Sequence, residues 1–238
     1  MLEIIACSIE DAIAAEAGGA DRLEIISHYE VGGLTPPVEL VEEIAARVKI
    51  PLRVMVRESE PFEVHDDLEI ERLCEAAWKF AKVGVEGLVL GFLLYGERGN
   101  ILDLNLLDRV LLSAPRLKAT FHRAIEELPN PAYAIEELKS YPQIDRVLTS
   151  GGGKAWRDKV RDFAMLREKA QPQIEILVGG GTDAEVIRLL KPVGIREFHV
   201  GKAVREGQRI DGVVLAEKVR ELKTLIEGNC SVHRIRPQ

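Results

Sequence analysis

The chain has 238 residues, 46% hydrophobic and 30% charged, which is ample for a large core and within the span of a single barrel domain. A formal net charge of −7 excludes a general binder of nucleic acid or of anionic membranes, since both need a basic face. The apolar runs are too short to span a bilayer, Met1-Leu2-Glu3 opens no signal peptide, and three cysteines at no zinc-finger spacing suit a reducing compartment, so the expected location is the cytoplasm.

The first apolar run, Leu2 to Cys7, leads into a helical stretch from Ile9 to Ala17 that Ser8 caps and Gly18-Gly19 ends. Arg22 to Ile26 precedes a helix over Pro37 to Val48, and Leu52 to Val56 precedes one over Asp67 to Val83. Gly87 to Leu93 is followed by Asp103 to Ser113, then Lys118 to Phe121 by Pro131 to Ser140. Arg146 to Thr149 precedes Lys159 to Ala170, and Glu175 to Val178 precedes Asp183 to Leu190, which starts at Thr182-Asp183. The last pair is Glu197 to Val200 with Gly212 to Ile226. Eight strand-length runs alternating with eight helices require parallel pairing, because only parallel strands need so long a return path. The pattern predicts an α/β fold, a TIM (β/α)8 barrel in one domain over residues 1–228, with a tail over 229–238; an open doubly wound sheet is the competing arrangement.

In such a barrel the chemistry gathers at the carboxyl ends of the strands. Glu3 and Glu24 each stand in a Leu-Glu-Ile-Ile run; alternation puts Glu3, Ile5 and Cys7 on one face and Glu24 and Ile26 on one face of the next strand, and if both acids point into the lumen they sit near one another and near Arg53 or Arg57. The competing role for the two acids is an internal ion-pair network that merely fills the barrel. The fifth run ends in His122-Arg123, an imidazole that exchanges protons near neutrality beside a guanidinium that holds oxyanions; His199 ends the eighth. The sixth and seventh runs open into glycine turns, Thr149-Ser150-Gly151 and Gly179-Gly180-Gly181, and Gly201-Lys202 follows the eighth. These turns suit backbone amides that meet an anion, although neither has Walker or Rossmann spacing.

Four segments carry a family resemblance: Gly18-Gly19-Ala20-Asp21-Arg22-Leu23-Glu24, Gly32-Gly33-Leu34-Thr35-Pro36, Thr120-Phe121-His122-Arg123-Ala124 and Arg146-Val147-Leu148-Thr149-Ser150-Gly151. In this order they resemble the CutC family, linked by name to copper homeostasis. The resemblance implies a cytoplasmic TIM barrel, often oligomeric (a homodimer or higher homo-oligomer), with a role in copper binding or trafficking. Its matching polar positions are Glu3, Glu24, Arg57, His122, Arg123, Thr149, Ser150 and His199. Two departures stand out. Ile5 and Ile26 occupy positions where family members often carry cysteines, and Glu58-Ser59-Glu60-Pro61 replaces a Pro-Arg-Gly-Gly-Asp continuation with its second arginine. Cu(I) favours sulfur ligands, so Cys7 and Met55 are left as the candidate ligands in the barrel, with Cys230 and His233 as a further pair in the tail.

Two functions follow. One is a CutC-like protein that binds or shuttles copper as Cu(I). The other is an enzyme of lyase or isomerase type acting on a small anionic or phosphorylated metabolite. In the second, Glu3 or Glu24 is the base, His122 the acid, Arg57 and Arg123 clamp the anion, His199 assists, and Thr149, Ser150, Gly151, Gly180, Gly181, Gly201 and Lys202 seat it.

Overall fold

The computed structural model describes residues 1–228. Its sheet is closed: β1 (Leu2–Ala6), β2 (Arg22–Ile25), β3 (Leu52–Met55), β4 (Gly87–Leu90), β5 (Lys118–Phe121), β6 (Ile144–Thr149), β7 (Glu175–Val178) and β8 (Glu197–Val200) pair in parallel, each with the next. β8 then pairs with β1, setting His199 opposite Glu3. Closure rules out the open doubly wound sheet. Around it run α1 (Ile9–Gly18), α2 (Val38–Ala45), α3 (Asp67–Val83), α4 (Leu104–Ser113), α5 (Pro131–Leu138), α6 (Val160–Ala170), α7 (Ala184–Leu190) and α8 (Ala216–Glu227). None of the helices is long and apolar enough to cross a membrane. The tail expected over 229–238, with Cys230 and His233, lies outside the described residues.

Local chemistry sets the element ends. The Ser8 hydroxyl accepts from the Asp11 amide, and Gly19, at φ 91, ends α1 in a left-handed conformation that glycine adopts without steric cost. The fourth run is shorter than its apolar sequence suggests: β4 stops at Leu90, and Leu93–Leu94 pairs antiparallel with Ile101–Leu102 as a small hairpin. The break falls at Gly91, where a side chain has no room, because a Cβ would lie 2.5 Å from Nδ1 of His122. The last helix starts at Ala216 rather than Gly212, because Arg205 and Val214 bridge first. Arg205 then donates to Asp11 Oδ2 at 2.7 Å and to the carbonyl of Ile5, tying this loop to the end of β1.

Two separate cores result. Leu2, Ile4, Ala6, Phe80, Phe121, Phe163 and Phe198 belong to the shell between strands and helices, whereas Ile5, Ile26, Met55 and Val89 form a small cluster of their own, with Cys7 and Tyr29 against it. The alternation of β1 turns Glu3 and Ile5 to the lumen, opposite to Leu2 and Ile4. Below that apolar cluster the lumen is filled by charge. Arg53, with no exposed surface, donates to Glu86 at 3.0 Å, to the Thr120 hydroxyl at 2.7 Å, and through both terminal nitrogens to Asp145 at 2.7 and 2.8 Å. Arg146 clasps Glu197 at 2.7 and 3.1 Å, and Arg22 donates to Glu3 at 2.6 Å. Arg53 therefore pairs with Glu86 and Asp145, whereas the sequence had set it beside Glu3 and Glu24.

Removing one member of such a network leaves the others buried without a partner. Arg53→Ala is expected to lower the unfolding free energy by about 3 kcal/mol in urea denaturation, with Arg53→Met costing less because its volume still fills the lumen. The figure sits at the low end for buried pairs because Asp145 and Glu86 keep some contact with water.

Candidate functional site

A cavity of about 720 Å³ opens at the carboxyl ends of the strands. Of the residues expected there, Glu24, Met55, Arg57, His122, Arg123, Gly180, Gly181, His199, Gly201 and Lys202 line it. Glu3 lies beneath them, and Cys7, Thr149, Ser150 and Gly151 stand outside its wall. The wall also holds Tyr29, Phe62 and Glu126, which the sequence did not single out.

The floor is a chain of buried groups. Arg22 Nε donates to one oxygen of Glu3, and the other lies 2.7 Å from Nδ1 of His199. Burial by itself raises the pKa of Glu3, but the Arg22 charge and the His199 contact overcome this and hold it well below the usual carboxylate range. An ionised Glu3 accepts, so Nδ1 of His199 carries the hydrogen and Nε2 is the nitrogen whose proton is free to change. Nε2 sits 3.7 Å from Glu24 Oε2. Burial pushes Glu24 up to about 7, with the Glu3 charge acting the same way and His199 opposing. His199 is raised too: burial opposes, but the Glu24 charge and the Glu3 hydrogen bond prevail. The pair thus retains a proton near neutrality that an exposed carboxylate would have lost.

His122 differs. Its Nδ1 accepts from the Ala124 amide at 3.2 Å, so in the neutral ring the hydrogen is on Nε2. Burial, with the Arg57 charge adding to it, pushes its pKa down to about 3. The imidazolium expected of a general acid is therefore not formed near neutral pH; the side chain is a neutral N–H donor. Phe62 lies over it, ring centroids 5.0 Å apart, and the Arg57 guanidinium covers Phe62 at 4.6 Å.

Two of the expected anion clamps are already engaged. Arg57 donates to the carbonyls of Val31, Gly33, Ser59 and Glu60, so it staples the loops after β2 and β3. Arg123 grips Glu126 through two bonds of 2.9 Å. The same Glu126 carboxylate accepts from the Ser150 amide at 2.6 Å, its hydroxyl at 3.0 Å and the Thr149 hydroxyl at 3.3 Å. The turn after β6 is thus an oxyanion seat, filled by a side chain of this chain. Lys159 braces it from behind, donating to the Ser150 carbonyl at 2.8 Å beneath Trp156. Glu126 lies in a short 3-10 turn, where no strand or helix period marks it, and the turn's need for an acceptor was its only trace in the sequence. The turn after β7 is different: the amides of Gly180 and Gly181 donate to no group among the described residues, and Lys202, exposed, lines the same cavity.

Glu3, Glu24 and His199 are the one group of metal-ligand side chains, among the described residues, whose donor atoms gather within 4.8 Å. Glu3 spends its two oxygens on Arg22 and His199, and a guanidinium stands where an ion's charge would be, so the cluster reads as a proton-sharing chain. The Cys7 thiol lies 3.8 Å from Arg205 and burial pushes it up to about 11, which keeps it protonated.

The CutC family matches residues 1–204. The chain belongs to the CutC family. The human copper homeostasis protein cutC homolog is 36% identical over 201 residues, covering 84% of this chain and 72% of the human one. A family protein CutC from Xanthomonas campestris is 34% identical over 200 residues, covering 83% of this chain and 81% of its own. The crystal structure of CutC from Streptococcus agalactiae superposes with a TM-score of 0.76 at 25% identity, over 88% of this chain and 99% of that one. A thiamine phosphate pyrophosphorylase from Pyrococcus furiosus, at 16% identity and a TM-score of 0.57 over 95% of each chain, shares the fold alone. In this CutC family member Ile5 and Ile26 pack with Met55 and Val89 as the apolar ceiling of the charged lumen.

The raised Glu24 carries a pH signature. Its folded form binds the proton more tightly than the unfolded chain does, so the stability it contributes is complete below about 4.5 and lost as pH rises through about 7. Glu24→Gln, a mimic of the protonated acid, is expected to flatten the fall in thermal midpoint between about pH 5 and about pH 8, a difference on the order of 2 kcal/mol. Thermal melts across that range check it, and an unchanged slope would assign the proton elsewhere.

Proposed function

We propose that this CutC family protein serves copper homeostasis, the role in its human relative's name, by taking a small polar metabolite into the barrel mouth and exchanging a proton with it. The observation that carries this reading is a pair of buried atoms without partners among the described residues, Oε1 of Glu24 and Nε2 of His122, in two residues that line one cavity. Such atoms cost about 1–3 kcal/mol each when nothing completes them, and a ligand is what completes them in a working site. Glu24 is the proton-exchanging group, His199 and Glu3 set its proton affinity from below, and His122 donates a hydrogen bond. An anionic end of the metabolite is received by Lys202 and the Gly180 and Gly181 amides, since Arg57, Arg123 and the turn after β6 are occupied internally. Residence in the reducing cytoplasm is supported by Cys7 and Cys74 standing as free thiols among the described residues.

Thermal-shift screening against carboxylate- and phosphate-bearing metabolites tests the reading, because a ligand of the folded state raises the midpoint. At least one solute is expected to do so, and Lys202→Ala is expected to weaken an anionic one about tenfold, the worth of one charge-assisted contact. A full metabolite panel that leaves the midpoint unmoved would refute the proposal.

Direct copper binding is the second reading, favoured by one observation: Cys7 packs against the inner cluster that also contains Met55, which leaves a thiol and a thioether in one layer of the barrel. Thioether and thiolate suit Cu(I), at the cost of displacing the proton that burial holds on Cys7. Titration with Cu(I) against a competing chelator is expected to show one equivalent bound and at least tenfold weaker binding in Cys7→Ser, if this reading holds. Binding unchanged in Cys7→Ser would dismiss it.

A further inference from the structure

We infer that the barrel mouth is built to enolise a small carbonyl compound, with Glu24 removing the proton from the carbon next to a carbonyl whose oxygen accepts a hydrogen bond from Nε2 of His122. The inference rests on the solute-binding reading of the cavity and names its substrate class.

The donor is fixed by geometry. Because the Ala124 amide occupies Nδ1, the ring presents N–H at Nε2, and that hydrogen has no acceptor among the described residues. The ring keeps its place because β4 gives way at Gly91, where a Cβ would also lie 2.7 Å from Cε1. A neutral imidazole held this way polarises a carbonyl and steadies the enolate without giving up its proton. The base is fixed as well: Oε2 of Glu24 faces His199, and Oε1 is the oxygen left for a ligand. Ile5, Met55, Phe62 and Leu148 line the same cavity, so the carboxylate and the imidazole act beside apolar side chains that keep out competing water.

The step balances within the site. The C–H bond breaks, its electron pair forms the carbon–carbon double bond, and the carbonyl π pair moves to the oxygen held by His122. The proton resides on Glu24, shared toward His199, and returns to the same carbon or, after the enediol shifts its hydroxyl proton, to its neighbour. The outcome is proton exchange, epimerisation or isomerisation, with no oxidant, reductant or second substrate.

Deuterium uptake from D2O, followed by proton NMR, tests this with dihydroxyacetone, dihydroxyacetone phosphate and pyruvate as probes, alongside their thermal shifts. Exchange faster than in buffer is expected for at least one probe. The rate is expected to fall about 100-fold or more in Glu24→Gln and about 100-fold in His122→Phe, with partial recovery in His122→Gln, which restores an N–H donor. A probe that raises the midpoint yet exchanges no faster than in buffer overturns the inference and leaves the solute site standing. Exchange that survives Glu24→Gln overturns it also, and three probes that neither bind nor exchange count against it outright. Nitrogen-15 NMR of His122 gives a reading that needs no ligand: Nε2 protonated and Nδ1 bare at neutral pH is the expected state, and a protonated Nδ1 would sink the assignment of the donor.

Discussion

A guanidinium inside a closed barrel has to be neutralised where it stands, and Arg22 is neutralised chiefly by Glu3. That ion pair sets everything above it. With Glu3 kept ionised, His199 must turn Nδ1–H toward it; with that nitrogen committed, Nε2 is what Glu24 faces, and Glu24 becomes the carboxyl that holds a proton up to neutrality. The barrel's lower half, with Arg53 on Asp145 and Arg146 on Glu197, is a support for this chain as much as a filling. Hydrophobic packing alone closes a barrel, but it would leave the two acids of the Leu-Glu-Ile-Ile runs with no reason to differ in proton affinity.

The mouth divides its polar groups into those already satisfied and those left open. Glu126 fills the seat offered by Thr149 and Ser150, and Arg57 spends its hydrogens on loop carbonyls. These groups build walls. Glu24 and His122 are open; they lie on β2 and just beyond β5, three strands apart round the barrel, and both line the one cavity. Ile5 and Ile26 belong to the same logic: an apolar cluster just above the charges keeps water away from Glu24 and moves its titration toward neutrality.

Much of this was legible before any coordinates. Eight alternating runs pointed to the barrel, and a carboxylate inside an aliphatic strand marked the buried placement of Glu3 and Glu24, because burial without a partner is costly. Strand ends likewise marked His122 and His199. What the sequence withheld was the state of each group. The Ala124 amide that fixes His122 as a neutral donor is only two residues away, yet nothing in the letters says that the chain turns back there. Glu126, Tyr29 and Phe62 come from short turns without periodicity, and Arg53 found Asp145 rather than the acids of β1 and β2 because cross-barrel partners depend on stagger, which a linear pattern does not encode. The fourth run also misled, since continuous apolarity hid the departure of the chain at Gly91.

The contact between Glu3 and His199 spans 196 positions of sequence and is also the seam at which the first and last strands meet. Assembly of the circle and assembly of the proton-holding pair are therefore a single event. A nascent chain released before β8 has emerged carries Glu3 and Arg22 but not His199, so the proton-sharing pair exists only when the ring is whole, and an unfinished copy lacks it altogether.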